Sequence, residues 1–420
     1  MDVVVERCAG LDVHRDSVVA TVRLPVTGRN RRRRDQQTRS FGTTIGQLET
    51  LADWLASLGV TLVGMEATGV YWKPVFYVLE PRFSCWLLNA QHLHNVPGRK
   101  SDVIDSAWCC QLLEHGLVRP SFVPPPEIRR LRDLTRLCIA QVEERTRAIQ
   151  RLEKVLQDAG IKLSSVASTT YSKSARAMLE ALLSGVTDAE QLAELSKGKM
   201  RAKIPQLQEA LQSRFTIEHH GVMVAQLLAH IDTLDQALQN PTERIEFALA
   251  PHAQLVELLS TIPGVQVHAA QVLIAECGLD TSVFPTVGHF ASWAGACPGH
   301  HESAGRRKSG HTRPGPGRLT SQLTECARAA VRTKGTYLAP HYAQLRGPRG
   351  EPKATGAIRH DLLVAYFHIV RDQVPYRDLG PDRQRRRYSL EHRARRLQRQ
   401  LEALGYAVTL EQTEPAEQAA

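Results

Sequence analysis

The sequence lacks the features that mark exported, membrane-spanning and disulfide-bonded proteins. Its eight cysteines include no Cys-x-x-Cys pair, and the adjacent Cys109 and Cys110 have a spacing unsuited to a zinc site or a disulfide framework. No uncharged apolar run approaches the roughly 20 residues that cross a bilayer, and the first residues show no basic-then-apolar signal. We therefore expect reduced, mostly buried thiols in a cytoplasmic protein with no membrane partner.

A phosphate-binding loop of the Walker type is also missing. The stretch GRKSDVIDSAWCC, residues 98–110, begins like such a loop, but Arg99 separates Gly98 from Lys100. Leu93 stands five residues before Gly98, where the loop needs a glycine. The stretch therefore does not predict a nucleotide pocket.

Positive charge is in excess, with a formal net charge of +10, and it is clustered. The clusters are RNRRRRD (29–35), GRRKSGHTR (305–313) and RQRRRYSLEHRARRLQRQ (383–400). Such clusters favour a polyanion partner, because neutralising phosphates releases counterions. The alternative is a solvated basic face.

The order of the sequence patterns predicts an α/β domain followed by helical regions. Short β-rich runs at RCAGLDVH, SVVATVRL, SFG, TLVGMEA and SCWLLNA, with a helix at TIGQLETLADWLASLG, predict a mixed sheet with helices on its faces. After Pro124–Pro126, apolar residues recur at helical spacing and predict a hairpin or coiled-coil arm, whose far limb lies near HGVMVAQLLAHIDTLDQAL. TIPGVQVHAAQ predicts a helix-hairpin-helix in a mainly helical C-terminal domain. The predicted regions are 1–123, 124–250, 251–375 and a basic tail at 376–420.

Four acids stand where a metal site is expected. Ser101 is a candidate N-cap, and the helix that follows places Asp102 and Asp105 on one face, where a divalent cation would relieve their repulsion. Asp12 lies inside the apolar first strand, and Glu66 ends the fourth. This is the pattern of ribonuclease-H-like nucleases, in which the first and fourth strands are neighbours and acids converge on two metals, with Mg²⁺ as the natural ion.

The chain resembles the DEDD transposases of the insertion-sequence family one-ten, whose N-terminal domain is similar to the RuvC resolvases. The resemblance rests on GLDVHRDSVVATV, GMEATGVYWKPV, GRKSDVIDSAWCCQLL, IRRLRDLTR and YSKSARAMLEALLSG, then on TIPGVQVHAAQVLIAECG, FASWAGACPG and ESAGRRKSG. It implies that Asp12, Glu66, Asp102 and Asp105 are the catalytic, metal-binding tetrad.

The resemblance further implies a nucleophilic serine, for which Ser303 is the best match and Ser309 the second. Ala304 replaces the first glycine expected after that serine, and TRPGPGRL departs from the expected loop. A serine oxygen that attacks a phosphodiester stores the bond energy as a phosphoserine. The residues expected to bind nucleic acid are Arg31, Arg32, Arg33, Arg34, Lys100, Gly264, Arg306, Arg307 and Lys308.

The implied partners are donor and target DNA, a bridge-type non-coding RNA, and further copies of the chain as a dimer or tetramer with composite active sites. A bacterial, nucleoid-associated location follows from the same resemblance. Two rival functions stay open at this point. One is a junction-resolving nuclease that uses the same acids with water as nucleophile, and the other is an inactive nucleic-acid-binding scaffold.

Overall fold

The computed structural model describes residues 3–26, 34–66, 69–89, 102–167, 171–299, 301–303, 305–309, 311–383 and 390–410. They fall into two compact units, Met1–Pro124 and Pro125–Ala420. The predicted further borders at residues 250 and 375 lie inside the second unit and stay predictions.

The first unit is built on one five-stranded mixed sheet in the order β3-β2-β1-β4-β5. β1 is antiparallel to β2 and parallel to β4; β2–β3 is antiparallel and β4–β5 is parallel. The elements are β1 (Cys8–Val13), β2 (Ser17–Pro25), β3 (Arg34–Gly42), α1 (Ile45–Ser57), β4 (Leu62–Glu66), α2 (Trp72–Leu79), β5 (Ser84–Leu88) and α3 (Asp102–Glu114).

The third strand is longer than the sequence predicts. Only SFG was expected to be extended, but β3 pairs with β2 along nine residues, from Arg34 opposite Pro25 to Gly42 opposite Ser17. Most of β3 is polar and exposed, so its sequence shows little of the alternation that marks a strand. Pairing with the apolar β2 determines its conformation.

Apart from a short hairpin, the described part of the second unit is helical. Its elements are α4 (Pro126–Asp158), α5 (Leu163–Val166), α6 (Lys173–Leu183), α7 (Ala189–Glu194), α8 (Ile204–Leu211), α9 (Val222–Ala237), α10 (Gln239–Leu249), α11 (Ala253–Ser260), α12 (Val267–Cys277), α13 (Val287–Trp293), β6 (His301–Ser303), β7 (Arg306–Ser309), α14 (Gly317–Ala330), α15 (Leu338–Arg349), α16 (Glu351–Asp372) and α17 (Leu390–Ala403).

The predicted arm is an antiparallel helical hairpin. Arg145 of α4 donates to Asp235 of α9 at 2.5 Å, while Asp158 at the end of α4 lies 3.4 Å from His220, just before α9. The described segments between the two limbs form a small helical cap. The cap shares an apolar core with both limbs that includes Leu152 and Ile231.

The helix-hairpin-helix is present as α11 and α12, and a buried acid joins α12 to α4. Arg136 forms a two-pronged ion pair with Glu276, at 2.7 and 2.9 Å, and Glu276 is 1% exposed. Arg132 donates to the carbonyls of Ala275 and Glu276 at 2.9 and 2.8 Å. Two arginines of the IRRLRDLTR motif therefore hold the second unit together.

Within the described residues, no helix combines the length and the apolar character that crossing a membrane requires.

Candidate functional site

Helix α3 lies directly on the backbone of the sheet. A Cβ added at Gly10 of β1 would come within 2.3 Å of the Ser106 carbonyl oxygen and 2.4 Å of the Cys110 nitrogen. At Gly64 of β4, an added Cβ would lie 2.4 Å from a methyl group of Leu113. Both glycines are therefore needed for α3 to pack this closely across β1 and β4.

α3 runs antiparallel to these two strands. The carbonyl of Glu114, at its C-terminal end, accepts hydrogen bonds from Val4 and Val5 at 2.8 and 3.1 Å, just before β1. The N-terminal end of α3 therefore lies toward the ends of β1 and β4, where Asp12 and Glu66 stand.

Asp12 and Glu66 occupy equivalent positions on adjacent strands. The β1–β4 register pairs Gly10 with Gly64 and Leu11 with Met65, so Asp12 and Glu66 are the next residues along the two strands. Each acid is two residues beyond a glycine that faces α3, and alternate residues of a strand share a face. Parallel neighbours lie about 4.8 Å apart. The sheet thus points both carboxylates toward the N-terminal part of α3.

Cys109 shows where Asp105 lies relative to these strand acids. Its thiol lies 3.6 Å from the Gly64 carbonyl oxygen, and Asp105 is one turn earlier on the same face of α3. Burial raises the pKa of Cys109 to about 12. A backbone hydrogen bond with Leu11 lowers this pKa, and nearby charges that include Glu66 and Asp12 raise it further. The Cys109 thiol is therefore protonated at neutral pH.

The three acids whose side chains the structure describes do not form a closed ligand set. The carboxylate oxygens of Asp12, Glu66 and Asp105 are not all within 4.8 Å of one another. Asp102 begins α3, but its side chain lies outside the described part of the chain. Asp12 is 14% exposed, and its Oδ2 lies 3.2 Å from Nε2 of His14, a neighbour that the sequence pattern did not single out.

A buried hydroxyl cluster fixes α3 against the antiparallel side of the sheet. Thr21 of β2 lies at hydrogen-bond distance from Ser106 of α3, 2.8 Å, and from Thr38 of β3, 2.9 Å. Thr21 and Ser106 are fully buried. Hydrophobicity patterns do not predict such a contact, because it joins residues 85 positions apart in the chain.

Arg34, one of the residues expected to bind nucleic acid, is largely buried. Its guanidinium is 8% exposed and pairs with the fully buried Glu114, which also accepts a hydrogen bond from Arg23 at 2.8 Å. A buried carboxylate needs such partners, because an unpaired charge is costly away from water. Arg34 therefore has a role in the fold. Arg31, Arg32, Arg33 and Lys100 lie outside the described residues.

The candidate serine lies on a short hairpin of the second unit. β6 pairs with β7 so that Ser303 stands opposite Arg306, and Gly305 between them has a φ of 73°, which glycine adopts without strain. Arg306 is exposed. The side chains of Ser303, Arg307, Lys308 and Ser309 lie outside the described part of the structure.

Gly264 has a packing role that the sequence did not predict. Its φ is 82°, and an added Cβ would lie 2.4 Å from both the Ala330 nitrogen and the Cys326 carbonyl oxygen of α14. The glycine is required because the hairpin between α11 and α12 touches the α14 backbone. The exposed residues that follow it are Gln266, Val267 and His268.

A second cluster of potential metal ligands lies in the arm. The ligand atoms of Asp158, His219 and His220 are all within 4.8 Å of one another. However, the Thr216 backbone N–H donates to Nδ1 of His220 at 3.2 Å. A neutral His220 then carries its proton on Nε2, which faces Asp158 at 3.4 Å. This nitrogen has no lone pair free for a metal in that tautomer.

The sheet order, the in-register strand acids and the crossing helix define the class: an RNase-H-like domain of the kind that acts on nucleic acids through metal-bound carboxylates. Comparison with protein families identifies the family. A DEDD transposase model of the IS110 type, described as Transposase, matches residues 9–161. A model described as Transposase IS116/IS110/IS902 family matches residues 256–343.

Together the two models cover more than half of the chain, and the protein belongs to the IS110 family of transposases. It is therefore an enzyme that acts on DNA, with a RuvC-like N-terminal domain, and a DEDD domain implies a divalent metal. A search of curated proteins gives no match to the chain.

The contact of α3 with the sheet can be tested with two alanine variants. Gly10→Ala should destabilise the first unit by about 2–3 kcal/mol, because the new methyl group overlaps helix backbone that has no alternative rotamer. Gly64→Ala should cost about 1 kcal/mol, because the Leu113 side chain can rotate away. Urea unfolding measures both costs. Equal costs would contradict the described contact.

Proposed function

We propose that the protein recombines DNA by metal-assisted strand cleavage and strand exchange, with Mg²⁺ as the metal and Ser303 as the nucleophile. The observation that carries the proposal is the register that brings Asp12 and Glu66 side by side beneath the helix bearing Asp102 and Asp105. Family membership supplies the DNA substrate.

The acids fit a hard divalent ion. Asp12, Glu66, Asp102 and Asp105 offer only oxygen ligands, which Mg²⁺ prefers. Like charges this close to one another repel, so a bound cation stabilises the arrangement. Bound Mg²⁺ would polarise the phosphodiester and stabilise the charge that develops on it. When acids bind two metal ions, their carboxylate oxygens need not all lie within 4.8 Å of one another.

Ser303 is proposed to attack the phosphorus of a DNA strand through its hydroxyl oxygen. A serine O–P bond forms as one P–O bond of the strand breaks, and the released strand end leaves as an alcohol. Attack by the hydroxyl of a second strand reverses these steps and frees the serine, so the exchange needs no external energy source. Arg306, Arg307 and Lys308 on the same hairpin supply positive charge for the phosphate.

The proposed assembly contains donor DNA, target DNA, a bridge-type RNA and at least two copies of the chain. In this proposed assembly, the acids of one copy and Ser303 of another copy form each active site. The net charge of +10, with basic clusters in both units, supports a polyanionic partner.

The acid assignment predicts a loss of metal-dependent cleavage. Asp12→Asn, Glu66→Gln and Asp105→Asn should each reduce strand cleavage by at least about a hundredfold, because each removes an anionic ligand but keeps the side-chain shape. Cleavage of end-labelled DNA in Mg²⁺ measures the loss. The matched control is Asp16→Asn, since Asp16 is 88% exposed and lies outside the proposed site. Full activity in all three variants would refute the assignment.

The serine assignment predicts a covalent adduct. Wild-type protein and Ser309→Ala should form a protease-sensitive, slowly migrating DNA band in a denaturing gel, whereas Ser303→Ala should bind DNA but form no band. A band that persists in Ser303→Ala and disappears in Ser309→Ala would move the nucleophile to Ser309. Cleavage without any adduct would make water the nucleophile and favour a junction-resolving nuclease.

The RNA assignment predicts that recombination depends on a transcript of the DNA flanking the gene. Protein reconstituted with that transcript should recombine donor and target DNA, because base pairing supplies the sequence specificity that phosphate contacts lack. An RNA of equal length and scrambled sequence is the control. Equal recombination with either RNA, or with none, would contradict the assignment.

A further inference from the structure

A large cavity in the second unit has no role in the proposed chemistry so far. Its volume is about 990 Å³, and it lies between the base of the β6–β7 hairpin and the helices α15 and α16. Pro298 and Thr312 form its hairpin side, where they pair as an isolated bridge. The Gly299 N–H also donates to the His311 carbonyl at 2.8 Å, so this wall is fixed by backbone hydrogen bonds.

The opposite wall is cationic. It carries Arg349, Lys353 and Arg359, with Asp361 as the acid among the lining residues. Asp361 is already engaged, because its Oδ2 lies 2.8 Å from Nδ1 of His341. Burial raises the pKa of Asp361, but hydrogen bonds from His341 and His360 outweigh that effect and lower the pKa overall. The cavity therefore retains an excess of positive charge.

Arg359 has hydrogen-bonding capacity that the protein does not use. Its Nε is buried and has no hydrogen-bond partner among the described residues. A buried donor without an acceptor typically costs about 1–3 kcal/mol. An anion in the cavity would pair with the cationic wall that Arg349, Lys353 and Arg359 form, and a phosphate oxygen matches a guanidinium well.

A glycine keeps the space beside Arg359 open. Gly356 lies inside α16, where glycine costs about 1 kcal/mol relative to alanine. Close packing does not explain the glycine. A Cβ added at Gly356 would lie 3.7 Å from Nη2 of Arg359, which is an ordinary van der Waals distance. The open position adjoins Nη2 of Arg359 on the lining of the cavity, as expected for a site that receives a ligand.

We propose that this cavity binds a backbone phosphate of the DNA strand that the serine hairpin engages. The inference rests on the proposed function, and it assigns the pocket to a phosphate near the one attacked. DNA is favoured over RNA because the cavity wall continues into the hairpin that carries Ser303. Such a contact holds the strand in position while the hairpin reacts with it.

Inorganic phosphate tests the pocket independently of any reaction. At constant ionic strength, replacing chloride by phosphate should raise the melting temperature of the full-length protein. Gly356→Glu places a carboxylate beside Arg359 and should reduce the rise to the general stabilisation that phosphate gives folded proteins, as should Arg359→Gln. Gly46→Glu introduces the same charge at an exposed helical glycine with open space around it and should retain the rise, as should Arg346→Gln. No rise in the wild-type protein, or an unchanged rise in Gly356→Glu and Arg359→Gln, would overturn the proposal.

Oligonucleotides of one sequence then distinguish DNA from RNA. Gly356→Glu should weaken DNA binding about tenfold relative to Gly46→Glu, because it removes a charge-assisted hydrogen bond. RNA binding should be unchanged. Weakened RNA binding with unchanged DNA binding would overturn the assignment to DNA. A failed adduct assay with intact phosphate binding would instead refute the serine mechanism and leave the pocket in place.

Discussion

The close approach of α3 to the backbone of β1 and β4 is the constraint on which the first unit depends. Gly10 and Gly64 remove the side chains that would hold the helix away. Thr21, Ser106 and the buried Glu114 then fix the helix along its length. Because α3 runs antiparallel to both strands, its acidic N-terminal turn faces the strand ends that carry Asp12 and Glu66. One packing contact thus brings the start of α3 toward the two strand acids that we propose as metal ligands.

The fold was largely predictable from the sequence, since apolar alternation marks β1, β2 and β4 and helical spacing marks the arm. The full length of β3 was not predictable, because its polar residues are extended only through pairing with β2. For the same reason Arg34 looked like part of a solvated basic run, although its guanidinium lies against Glu114. The sequence predicts Gly264 as part of a phosphate-binding turn, and it did not show that the α14 backbone also requires a glycine at this position. These outcomes depend on contacts between residues far apart in the chain.

The candidate site was predictable only in part. A carboxylate inside an apolar strand and two acids three residues apart on a helix were visible as anomalies, and the family resemblance gave them a common role. The neighbours that set their environment, His14 and Cys109, carry no local signal. The cationic cavity carries no local signal either, because its residues come from a loop and two later helices. Composition reveals the positive charge but not the surface on which it concentrates.

Diffraction from crystals of the full-length protein soaked in Mn²⁺, a hard divalent ion with a strong anomalous signal, tests the central claim directly. The account predicts anomalous peaks between the ends of β1 and β4, bound by Asp12 and Glu66 and capped by the start of α3. The absence of a peak at the ends of β1 and β4 at saturating Mn²⁺, with metal bound only at Asp158, His219 and His220, would contradict this account.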